Sequence, residues 1–147
     1  MLQDLKIKYL RGSEKFGELK YVLEKSDWID LRNAEDVHLK QFEATLIPLG
    51  VAIALPYGYE AILAPRSSTF SKYGILQANS IGIIDETYCG DDDEWKLSVW
   101  ATRDIDIPAG TRICQFRILE HQPSLHFIKV DTLANPSRGG FGSTGEV

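Results

Sequence analysis

Cysteine is scarce: Cys89 and Cys114 are the only two in 147 residues, and no C-x-x-C spacing occurs. That excludes a disulfide framework and a cysteine-based zinc site, and both thiols are expected to be reduced. An excess of basic charge is also lacking, with 16 Lys and Arg against 21 Asp and Glu and a net charge of -5. Nucleic acid and anionic membrane surfaces call for a basic face, so neither is expected as a partner, and any anionic ligand has to be met by positive charge gathered locally. No apolar run approaches the roughly 20 residues needed to span a bilayer. The opening MLQDLKIKYL places charges where a secretory signal needs an unbroken apolar core, which makes the cytoplasm the expected location. Internal repeats, low-complexity tracts and long amphipathic helical patterns are missing too. Histidine offers no metal site: His121 and His126, five apart in an expected strand, point to opposite faces, and His38 has no evident partner.

What is present is a single domain's length of chain with 44% hydrophobic residues, enough to bury a core. Short β-rich runs recur between turn residues, namely LKIKYL, EATLIPLGVAIAL, YEAILAP, ILQANSIGII, WKLSVWA and TRICQFRIL, separated by PYGY, CGDDD and IPAGT. This is the pattern of an all-β sandwich or barrel. One short helix is expected over about Ser67 to Tyr73, with serines at its N-cap and Gly74 as its terminator. The glycine-rich end, residues 135–147, reads as a flexible arm following a domain of residues 1–134.

Three stretches carry chemistry. In the arm, NPSRGGFGSTGEV has glycines that suit a phosphate-holding loop, but neither the lysine nor the following helix of G-x-x-x-x-G-K-[ST]. What remains from Arg138 to Gly145 is one cation, two hydroxyls, an aromatic ring and several amides able to form an anion nest. An ordinary frayed end has the same composition. In APRSSTF, Arg66, Ser67 and Ser68 gather a guanidinium, two hydroxyls and free amides at one point, although the serines would serve equally as a plain helix cap. In ANSIGIIDETYCGD, Asn79, Asp85 and Tyr88 are placed around an expected β-hairpin. Asn79 can pair with a base edge, Asp85 can hold and polarise a water, and Tyr88 can pack on a sugar. Singly, each is also an unexceptional turn or rim residue.

Taken together, PRSSTFSKYGI, GIIDETYCGD, GTRICQFRI and RGGFGSTG resemble motifs two to five of the trimeric dUTPases, in order and at family-like spacing. Where the family's first motif reads A-G-x-D-L, this chain has S-D-W-I-D-L, with Asp30 at the aspartate position. The resemblance implies a jelly-roll-like distorted barrel that forms a homotrimer with shared active sites. It also implies hydrolysis of dUTP to dUMP and pyrophosphate by water attack on the α-phosphorus, with Mg2+ chelated by the triphosphate. It would make Asp85 the residue that orients the water, assisted by Gln115. Arg66, Ser67 and Ser68 would hold the α and β phosphates, and Arg138, Ser143 and Thr144 the γ end. Asn79 and the backbone at Ile84 would read uracil, Tyr88 would pack under the deoxyribose, and Phe141 would stack on the base. Asp30 would act on the metal through water, with Arg112 as polar support. A further departure is the acidic run Asp91 to Glu94, expected to be a solvated loop. The related dCTP deaminases need a glutamate in the strand after the third motif, where this chain has Ser98. A non-enzymatic regulatory protein of the same fold is the reading from a different class.

Overall fold

The computed structural model describes residues 2–21 and 25–145. Among the described residues there are eleven strands: β1 (Lys6–Tyr9), β2 (Ile29–Arg32), β3 (Val37–Leu39), β4 (Ala44–Pro48), β5 (Val51–Ala54), β6 (Tyr59–Pro65), β7 (Ile75–Gln77), β8 (Gly82–Ile84), β9 (Lys96–Ala101), β10 (Ile105–Ile107) and β11 (Arg112–Glu120). One helix, α1 (Thr69–Tyr73), follows β6. The strands form four small antiparallel sheets, of which the four-stranded β2-β11-β6-β8 positions most of the chemistry.

Alternation explains the layers. In β9, Leu97, Val99 and Ala101 are buried while Lys96 and Trp100 face outward, the period-two signature of a strand covered on one side. The inward sets from all the sheets meet around Trp95 and Phe116, whose rings pack edge to face at 5.1 Å. Each large side chain so buried contributes about 1.5–3 kcal/mol of transfer free energy.

The expected all-β chain with one short helix is what the structure has. The helix, however, begins at Thr69, and Ser68 at its N-cap makes no side-chain capping bond. Gly74 terminates it at φ 63, as its left-handed conformation favours. Strands β2, β3 and β10 lie outside the runs recognised in the sequence. The expected hairpin is not a ladder: β7 pairs with β9 while β8 pairs with β6, so the turn at 78–81 carries the chain from one sheet to another. Beyond Glu120 there is no further strand among the described residues, and 121–145 are exposed throughout.

Candidate active site

Three adjacent strands bring the first, second and fourth motifs together. Asp30 on β2 lies opposite Gln115 on β11, and Gln115 lies opposite Ala64 on β6, two residues before Arg66. Neighbouring strands lie roughly 4.8 Å apart, so short side chains reach across. The Gln115 Nε2 amide donates to the Pro65 carbonyl at 3.0 Å, which leaves its Oε1 as the outward acceptor.

Arg66 Nε meets Asp30 Oδ1 at 3.0 Å, and Arg112 Nη1 meets Asp30 Oδ2 at 3.7 Å. A third guanidinium, Arg32, stands opposite Arg112 in the ladder and donates to the Gly110 carbonyl at 2.6 Å. Burial, and then the charge of Arg112, push the Arg32 pKa down. Two arginines thus pair with a single carboxylate and a third lies close enough to feel its charge, leaving local positive charge on a chain that is negative overall. A cavity of about 440 Å³ opens beside Asp30, Arg32 and Arg112, walled by Phe16 and Lys20. Arg32 was not anticipated from the sequence. It lies two residues after Asp30 and so on the same face, a relation visible only once residues 29–32 are read as a strand.

The second motif is fixed by Thr69, a residue that no local pattern in the sequence marks. Register shifts between Arg112 and Cys114, leaving Ile113 without a ladder partner. The buried Thr69 hydroxyl donates to the Ile113 carbonyl at 2.9 Å and accepts from the Arg66 amide at 2.8 Å. Thr69 therefore ties the Arg66 backbone to β11, while Ser67 is exposed and Ser68 half-buried. Cys114, next to the bulge, is fully buried, and burial pushes its thiol far above the usual range.

The third motif lies at the other edge of the sheet. Ile84 pairs with Ala61, three residues along β6 from Ala64, and β8 is separated from β2 by two intervening strands. Strand spacing puts the Asp85 end of β8 roughly 14 Å across the sheet from Asp30. Asp85 is exposed, and its Oδ1 accepts from the Thr87 hydroxyl at 2.7 Å and the Thr87 amide at 2.8 Å. These two bonds, the hydroxyl's first, hold the carboxyl below the ordinary carboxylate range. Asn79 is exposed in the β7–β8 turn, its carbonyl accepting from the Ile81 amide at 2.7 Å. Tyr88 is partly exposed and donates its hydroxyl to the Glu94 carbonyl at 2.9 Å.

Glu94 corrects the expectation of a solvated acidic loop. Asp91 and Asp92 are exposed, but Glu94 is only 6% exposed and is paired with Arg11, because its carboxylate turns inward to that guanidinium and the Gly50 amide. Arg138, Phe141, Ser143 and Thr144 are all exposed, and the described bonds of 138–145 run only within the segment, from the Ser143 amide to Gly140 and from Gly145 to Gly142. The single chain therefore gathers Asp30, Arg66, Arg112 and Gln115, but leaves Asp85 and Tyr88 at the other edge of the sheet and the arm residues without a described bond to them. His38, expected to be alone, is 2.7 Å from Asp106. Among the described residues no three His, Cys, Asp or Glu form a metal-holding group. Among them, too, no helix is long and apolar enough to cross a membrane.

The dUTPase family model matches residues 23–145. The chain is 51% identical over 142 residues to the SPbeta prophage-derived deoxyuridine 5'-triphosphate nucleotidohydrolase YosS of Bacillus subtilis, covering 96% of this chain and 97% of the relative. It is 39% identical to the deoxyuridine 5'-triphosphate nucleotidohydrolase of Rickettsia akari over 98% of each chain. In structure it is similar to a mutant dUTPase of Staphylococcus bacteriophage 80alpha with dUpNHpp, at a TM-score of 0.78 and 22% identity over 98% of this chain and 99% of that one. With motifs, fold and matched residues in agreement, the chain belongs to the dUTPase family.

Proposed function

We propose that this protein hydrolyses dUTP to dUMP and pyrophosphate, in sites assembled from more than one copy of the chain. The observation that carries the reading is the cluster of Arg66, Arg112 and Arg32 about Asp30, beside a Gln115 amide with its oxygen free. This is a place for a polyanion and an ordered water in a protein whose overall charge would repel both nucleic acid and nucleotide.

Each residue does a limited task. Arg66 with Ser67 and Ser68 binds the α and β phosphates, and Arg112 supports Asp30 and Arg66 from β11. Arg138, Ser143 and Thr144 close on the γ end, and Phe141 covers uracil and excludes bulk water. Asn79 and the Ile84 backbone read the uracil edge, while Tyr88 beneath the sugar leaves no room for a 2′-hydroxyl. Asp85 holds the attacking water with Gln115 Oε1 as a second acceptor. A carboxylate held below its usual pKa is a weak base at neutral pH, so its contribution is orientation of the water toward the α-phosphorus. Mg2+ carried by the triphosphate would supply charge neutralisation there. The chain's own donor set there fits that role, since Asp30 already spends an oxygen on each of two arginines and retains lone pairs only for water.

The separation of Asp85 from Asp30 across the sheet of one chain supports a shared site. With the third motif on one sheet edge, the phosphate cluster on the other and the arm free of both, a homotrimer in which neighbours supply the missing pieces completes each pocket. The cytoplasm is the fitting compartment for such an activity and for two reduced thiols. Deamination is disfavoured because β9 (Lys96–Ala101) carries no carboxylate.

The test is pyrophosphate release with dUTP, dCTP, dTTP and UTP at equal Mg2+, alongside sedimentation. Release from dUTP alone by a trimer is expected. Ammonia release from dCTP, or an active monomer, would overturn the reading.

A further inference from the structure

Tyr88 is held from an unexpected direction. It lies in the irregular segment between β8 and β9, and the outer end of its ring is fixed by the hydroxyl bond to the Glu94 carbonyl at 2.9 Å. Glu94 is itself immobilised. Its carboxylate accepts from the Gly50 amide at 3.1 Å and from Arg11 Nε at 3.0 and 2.9 Å to its two oxygens. The next residue, Trp95, bonds to the Val51 carbonyl and is buried against Phe116. Arg11, from the turn after β1, takes a left-handed φ of 56 that a side chain adopts only at a cost. It belongs to the stretch that precedes the family-matched residues 23–145.

We propose that Arg11 and Glu94 act as positioning residues that set the height of the Tyr88 ring and so tune discrimination between deoxyribose and ribose. The inference rests on the reading of Tyr88 as the sugar platform. A steric filter depends steeply on distance, so a ring able to retreat slightly admits a 2′-hydroxyl while still packing under a deoxyribose. Freeing the ring therefore raises UTP turnover relative to dUTP, whereas a purely structural role would lower both in proportion.

The experiment compares kcat/KM for dUTP and UTP in wild type, Tyr88→Phe, Arg11→Met and the double variant. The dUTP-to-UTP ratio is expected to fall about tenfold in each single variant, the scale of one lost hydrogen bond. The double variant should fall no further, because both changes cut the same relay. A wild type without preference for dUTP would overturn the underlying reading of the site. A wild-type preference that Arg11→Met or Tyr88→Phe leaves unchanged, or losses that multiply in the double variant, would overturn the relay alone. Should Arg11→Met not fold, Tyr88→Phe leaves the half-buried ion pair intact and Arg11→Lys retains its charge. An unchanged ratio in both of those would equally overturn it.

Discussion

Thr69→Val is the substitution that most directly probes how the phosphate end is built. Valine matches threonine in shape but removes the hydroxyl, which both accepts from the Arg66 amide and donates to the bulged Ile113 carbonyl. Thr69 is only 2% exposed, so water cannot readily replace either bond. A buried donor or acceptor left unmet costs about 1–3 kcal/mol. A carbonyl with two lone pairs is the more forgiving partner, which sets the sum at about 2–4 kcal/mol. For a chain of this size that lowers the melting temperature by roughly 5–12 °C. Because an oligomer's stability depends on concentration, urea unfolding should be followed at one fixed protein concentration. The Arg66 backbone loses its tether to β11, so KM for dUTP should rise more than kcat falls. Thr69→Ser, which restores the hydroxyl, should recover most of both. Unfolding of Thr69→Val indistinguishable from wild type, or a Thr69→Ser variant as damaged as the valine, would refute the reasoning.

Other consequences are as accessible. Asp85→Asn should lower kcat by about 10²–10⁴ while nucleotide binding measured by calorimetry persists, and near-normal turnover would remove Asp85 from its role. Thr87 holds the Asp85 carboxyl low, so the wild type should keep that group ionised, and its activity intact, as pH falls through the ordinary carboxylate range. Thr87→Val removes the larger of the two causes, and the acid limb of kcat/KM against pH should move upward; an unmoved limb would show that another group titrates there. Deleting residues 135–147 should abolish most hydrolysis and leave melting and oligomer unchanged, since the described bonds of that stretch reach no further back than Leu133. Loss of the folded body would instead make the tail structural.

How much of this was legible in the sequence depended on the reach of each interaction. Strands β6, β9 and β11 were readable because alternation or an unbroken apolar run is a local property, and Gly74 announced the helix end by its conformational freedom. The four residues of β2 were not, since so short a run between polar segments looks like loop until β11 pairs with it. Arg32 was lost with it. The serines of the second motif looked like caps, yet the hydroxyl that ties this segment to β11 is that of Thr69, whose role is created by a bulge 44 positions further along. Glu94 looked solvated for the same reason: its partner Arg11 lies 83 positions earlier. Motif spacing pointed to the chemistry, while the gap between the Asp85 edge and the Asp30 edge appears only when the sheet order is known.

That gap has a genetic corollary. If one polypeptide donates the water-holding edge and another the phosphate-gripping edge, two chains each crippled in a different piece can rescue one another when they assemble together, since some pockets then draw every part from an intact copy. Conversely, under that same arrangement a defective allele would spoil pockets that its healthy siblings otherwise complete, and its damage would spread beyond its own share of the molecules.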